Sequence, residues 1–70
     1  MKNLEVEIFV VNDAQYRVVD QRREHIFTIL RAALEEPIEL MAEFPYTYNR
    51  ETVRARAIRV AEMLRDGEVL

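Results

Sequence analysis

No cysteine occurs in this chain, and in a sequence of 70 residues that absence narrows the possible folds more than any residue present. So short a chain supports one core, and residues 1–70 read as a single domain. A core of that size gives thin stability, and proteins in this range add disulfides, a structural metal or a partner subunit. Without cysteine, a disulfide and a thiolate zinc site are both excluded. A partner subunit is the support that remains, so a homodimer is expected.

The first segment carries a period of two. Leu4, Val6, Ile8 and Val10 alternate with Glu5, Glu7 and Phe9, the pattern of a half-buried strand. Asn12-Asp13-Ala14 supplies turn chemistry, and Gln15 to Val19 resumes an extended pattern. A three-residue loop would set Val10 opposite Tyr16 and Ile8 opposite Val18, keeping one apolar face continuous. The other face would then pair Phe9 with Arg17 and Glu7 with Val19.

Beyond the hairpin the periodicity suits helices. Asp20 is a suitable N-cap for a first helix to about Glu35, with Ile26, Phe27, Leu30, Ala33 and Leu34 on one apolar face. Pro37 stops or kinks it. Ile38 to Phe44 fits either a strand, through its alternation, or a short helix, through its Glu, Leu, Met and Ala content, and the helix is favoured. Pro45 ends it. Asn49 is placed as the cap of a last helix to about Asp66, with Tyr48 and Val53 as a hydrophobic staple and Gly67 at the C′ position. Val53, Ala57, Val60 and Leu64 form its core stripe. The expected fold is therefore α+β: an N-terminal β-hairpin packed on two long helices, with a short helix (or third strand) between them.

Catalytic chemistry finds little to work with. Serine and cysteine are missing, and the one lysine, Lys2, falls at a terminus expected to fray. Thr28 reads as a solvated helix residue. Glu35, Glu36, Glu39 and Glu43 make an acidic cluster, but nothing puts two of them in an apolar pocket, so a helix surface is the reading. His25, with Asp20 and Glu24 nearby, sketches at most an incomplete metal site and reads as an exposed structural histidine. Gly67 is the only glycine, which rules out a glycine-rich phosphate loop. No enzyme activity, metal or cofactor is expected.

Binding features are more numerous. Nine of the ten basic residues are arginine, and the net charge is −3. In the last helix Arg50, Arg54 and Arg65 lie along one flank of the core stripe and Arg56 and Arg59 along the other. Glu51, Glu62 and Asp66 occupy the outward face between them, where they would repel phosphate. Phe44, Tyr46 and Tyr48 recur at spacing two around Pro45, which in an extended chain groups three aromatics of the kind that anchor protein interfaces. Ile58 lies off the core stripe and would enlarge the patch together with Arg54.

The first helix also carries its charges backwards. Arg22 and Arg23 stand in its first turn and Glu35 and Glu36 in its last, against the helix dipole. An antiparallel pairing of two such helices across a dimer would match each pair with its opposite.

The functional expectation is a small non-enzymatic protein-interaction module that binds a macromolecular partner. Its action would be inhibitor-, adaptor- or antitoxin-like, at a size suited to a gene on a phage or mobile element. A small DNA- or RNA-binding regulator using the arginine-rich helix is the alternative. The cysteine-free composition, the lack of a membrane-length apolar run and a start unlike a signal peptide suggest the cytoplasm.

Overall fold

The computed structural model describes residues 3–69. Lys2, assigned above to a fraying terminus, lies outside them. Four strands follow one another as an antiparallel meander, β1 (Leu4–Val11), β2 (Ala14–Gln21), β3 (Ile26–Ala33) and β4 (Glu39–Pro45), in the order β1-β2-β3-β4. A single helix, α1 (Arg50–Val69), then packs across one face of the sheet. This corrects the expected architecture: the chain is a four-stranded sheet with one C-terminal helix, not a hairpin on two long helices.

The hairpin exists, but its register differs. Val11 pairs with Ala14 across a two-residue turn, so Phe9 stands opposite Tyr16, Val10 opposite Gln15 and Ile8 opposite Arg17. Asn12 adopts a left-handed φ of 52°, which asparagine tolerates better than most residues. A slip of one residue exchanges the two faces of a strand. A β-bulge between Glu5 and Glu7 adds a second reversal by leaving Val6 unpaired. The core-facing set of β1 therefore passes from Val6 to Phe9 and Val11, while Ile8 and Val10 face away. Simple alternation along Leu4–Val10 cannot see that switch.

The first long helix is absent, because its residues make the end of β2, a four-residue turn and the whole of β3. Ile26, Thr28 and Ile29 are β-branched, and β3 is a central strand bonded to β2 on one side and β4 on the other. Its apolar residues serve both faces, so the run Ile26–Leu30 shows no period of two and passes for a helical stripe. His25 closes the β2–β3 turn at φ 56°, and Glu35 takes φ 62° in the loop to β4. Ile38 to Phe44 belongs mostly to an edge strand rather than a short helix, with a bulge at Met41 and Pro45 at the strand's last position.

Helix α1 starts where expected. Its buried line is Val53, Ala57 and Ala61, flanked by Val60, Leu64 and also Ile58, which packs against the core rather than lying off it. The two fully buried alanines let the helix approach the sheet, where Val18, Phe27 and Ile29 are fully buried. Each such large side chain contributes about 1.5–3 kcal/mol through burial. Two end details are corrected. The Asn49 side chain accepts from the Thr47 amide (2.9 Å) rather than from the helix, and Tyr48 is fully exposed, so no staple forms with Val53. Gly67 continues the helix without a positive φ, and α1 runs to Val69.

Candidate functional site

Three features stand out: a polar clamp at each end of α1, and the sheet face that the helix leaves uncovered. The first clamp centres on Asp20, wholly buried on the helix-facing side of β2. Its Oδ1 accepts from the Tyr46 hydroxyl (2.7 Å), and its Oδ2 accepts from Arg50 Nε (2.9 Å) and Nη2 (2.7 Å). Tyr46 stacks on Phe27 with ring centroids 4.9 Å apart, and its amide donates to the His25 carbonyl (2.9 Å). The Arg50 guanidinium also lies over the Phe27 ring. Burial, then the bond to Asp20, pushes the Tyr46 hydroxyl pKa up, and the bond to Asp20 raises that of Arg50. The clamp ties β2 to the start of α1. Asp20 is thus a buried acceptor and not a helix cap.

The second clamp holds the other end of the helix. Glu68 stands in the last turn, where the dipole disfavours a carboxylate. Arg31 of β3 compensates it, with Nε donating to both carboxylate oxygens at 3.0 and 3.1 Å, and the Tyr16 hydroxyl donates as well. These bonds, Arg31's first, hold the Glu68 carboxyl below its usual pKa. Burial, and then Glu68, pushes Tyr16 up. Arg31 reaches Glu36 at 3.1 Å and Glu39 at 3.7 Å too. A cleft of about 210 Å³ opens beside it, lined by Asn12, Asp13, Leu34 and Glu36 among others. Its one guanidinium is already engaged by carboxylates. Among the described residues no buried side-chain nitrogen or oxygen lacks a hydrogen-bond partner, so both clamps are satisfied internally.

The uncovered face is chemically different. The pairing aligns Ile8, Arg17, Leu30 and Leu40 in one row across the four strands, with Val10, Gln15 and Ala32 in the next. Leu40 is 57% exposed and Val10 65%. Arg17 is paired with Glu5 at 3.2 Å. Toward the β2–β3 turn the face becomes more polar, through Gln21, Glu5 and Glu43 beside Val19 and Thr28. Leu34 and Ile38 stand exposed in the loop that joins β3 to β4. A solvated antiparallel face normally carries polar residues, and here Ile8, Val10, Leu30 and Leu40 depart from that on either side of the polar Arg17 and Gln15 of β2.

The residues singled out from sequence are scattered. Tyr46 is in the core, Phe44 and Ile58 pack against it, Arg54 is half-buried on α1, and Tyr48 is exposed alone. They make no common patch. Arg22 and Arg23 lie in the β2–β3 turn and Glu35 and Glu36 in the β3–β4 loop, at opposite ends of the sheet. The helix that was to carry them does not exist. Arg56 and Arg59 are exposed, while the exposed Glu51 and Asp66 pair with Arg50 and Arg65. His25 stacks on Tyr46 at 5.6 Å while Asp20 is engaged elsewhere, and the described residues hold no group of three or more metal-ligating side chains.

Sequence reasoning missed the roles of Asp20, Arg31 and Glu68 because the partners that tie them to α1 and the sheet lie 26 to 52 positions away. It misassigned Ile8 and Val10 to the core because the expected three-residue loop sets the hairpin register one residue off. No helix among the described residues is long and apolar enough to cross a membrane. Comparison with protein-family models, with curated proteins and with solved structures brings no match, so the reading of function rests on the chain's own geometry.

Proposed function

We propose that the chain is a non-enzymatic protein-interaction module whose working surface is the uncovered face of its sheet. One observation carries this reading: α1 covers a single face, while the other presents Ile8 and Val10 of β1 on one side of Arg17 and Gln15 and the neighbouring Leu30 and Leu40 on the other, with Val10 and Leu40 more than half exposed. Neighbouring large apolar side chains left exposed on one sheet face fit a site for another macromolecule. The buried or half-buried carboxylates Asp20 and Glu68 are engaged by Arg50 and Arg31 within the two clamps. Binding through such a face suits an inhibitor, adaptor or antitoxin-like protein that acts by occupying its partner.

The test is recovery of the tagged full chain from native lysate, with and without nuclease, beside a Leu40→Glu variant. Leu40 is exposed on an edge strand, so the change spares the core. The expected result is a stoichiometric protein that survives nuclease and is lost from the variant, with circular dichroism unchanged. A nuclease-sensitive, salt-labile yield that ignores the substitution would overturn the reading and favour a nucleic-acid binder.

A further inference from the structure

We propose that the β3–β4 loop, with the cleft beside it, docks an extended segment of a partner protein that carries apolar side chains together with an arginine or lysine. The proposal rests on the reading of the uncovered face as a protein-binding surface, which the loop adjoins through Leu40. It adds where the partner is anchored and the chemistry that recognises it.

The first observation is exposure. Leu34 to Leu40 form the longest run of exposed residues among those described. Leu34, Ile38 and Leu40 within it are each more than half exposed. Three large apolar side chains on one exposed stretch fit contact with another chain.

The second observation is charge, counted over every described residue at this end of the sheet. The β1–β2 turn, the β3–β4 loop with its flanking strand ends, and the last turn of α1 hold Asp13, Glu35, Glu36, Glu39, Asp66 and Glu68. Against these six acids stand two bases, Arg31 and Arg65, a formal excess of four negative charges. Both bases are engaged within the set, Arg31 by Glu36, Glu39 and Glu68, and Arg65 by Asp66. The opposite end is mixed, with Arg22, Arg23 and Arg50 among Asp20, Glu24, Glu43 and Glu51. An anionic rim around apolar side chains selects a partner that is basic beside its own apolar residues, and it repels phosphate.

The third observation is the size of the cleft, about 210 Å³. Pockets for drug-sized free ligands run to about 300–1,000 Å³, so this one suits a single side chain. Val11 and Leu34 give it apolar wall, and Asp13, Glu36 and Glu68 give it carboxylates. The stem of an arginine or lysine can lie along the apolar wall while its charged head meets Asp13 and Glu36. Glu68 stays with Arg31, so the clamp that holds α1 is kept.

Random peptides of about 12 residues displayed on phage, selected on the immobilised full chain at about 150 mM salt, test the proposal. The expected enrichment is arginine or lysine within a few positions of leucine, isoleucine or phenylalanine. A synthetic copy of the best peptide should bind about tenfold or more weakly to D13N/E36Q and, independently, to L34S/I38S, with circular dichroism unchanged. L40E should weaken it as well. Both pairs change exposed side chains, and a folding failure in one leaves the other to report. Free arginine amide should bind far more weakly than the peptide, and equal affinity would overturn the partner segment in favour of a small cation. Basic peptides indifferent to both double variants overturn the site. Peptides without basic residues that ignore D13N/E36Q but are lost on L40E overturn the basic partner while sparing the face. An empty selection overturns the proposal and leaves the face to the lysate experiment.

Discussion

Replacing Arg50 with methionine strips Asp20 of two of its three donors while leaving its carboxylate wholly buried, with only the Tyr46 hydroxyl at 2.7 Å. Removing one member of a buried ion pair costs about 3–5 kcal/mol, because the charge left behind is not rehydrated. Stabilities of about 0.05–0.15 kcal/mol per residue put a chain of this length near 3.5–10 kcal/mol in total, so R50M should lie close to the folding limit. Removing the other partner should cost less. In D20A the stranded charge is Arg50, whose side chain is 30% exposed and can turn to water, so the loss should be about 2–3 kcal/mol. Y46F deletes one bond but leaves Asp20 held by Arg50, at about 1–1.5 kcal/mol. The expected order is R50M, then D20A, then Y46F. Urea unfolding followed by circular dichroism at one fixed protein concentration would read it. With a slope near 1 kcal/mol per molar urea, R50M should lower the midpoint by about 3 M. An R50M midpoint within 1 M or so of Y46F, or above D20A, would refute the claim that the burial of Asp20 sets the cost.

Two further outcomes follow from the packing and the second clamp. Ala57 is fully buried where α1 meets the sheet, so A57L should destabilise by about 1–3 kcal/mol in a melting experiment, whereas A55L on the exposed side should stay within about 0.5 kcal/mol; equal effects would show that the helix is not seated on its alanines. Glu68 has its carboxyl pKa lowered below the ordinary 4.5, so its contribution to stability is complete above that value and is lost as pH falls through the lowered one. The melting difference between wild type and E68Q should therefore be largest near pH 7 and shrink toward about pH 3, and a difference that does not change with pH would remove Glu68 from the acid limb.

Features decided within a few residues could be read directly from the chain. The strand–turn–strand start, the beginning of α1 and the burial of Val53 and Ala57 follow from alternation, turn chemistry and helical spacing. The sheet faces did not follow in the same way. A single bulge at Val6 moves the core-facing set of β1 from even to odd positions, and nothing in Glu5-Val6-Glu7 announces it. Tyr46 looked like one of three interface aromatics, yet its hydroxyl serves Asp20 and its ring covers Phe27.

The deeper divergence is in β3. From Asp20 to Glu35 the residues satisfy a helical wheel as well as a strand, and local propensity does not separate the two. Tertiary structure does, because hydrogen-bonding to β2 on one side and β4 on the other rewards an extended Ile26–Ala33 that a helix would forgo. The same holds for charge. Arg22, Arg23, Glu35 and Glu36 looked misplaced on a helix that never forms, while Glu68, which does oppose its helix dipole, is compensated by Arg31 from 37 residues away. By itself the sequence determined which short segments turn, alternate and coil. Which segments pair, and so which face is buried and which charges meet, was decided only in the folded chain, because those energies belong to contacts between residues far apart in sequence.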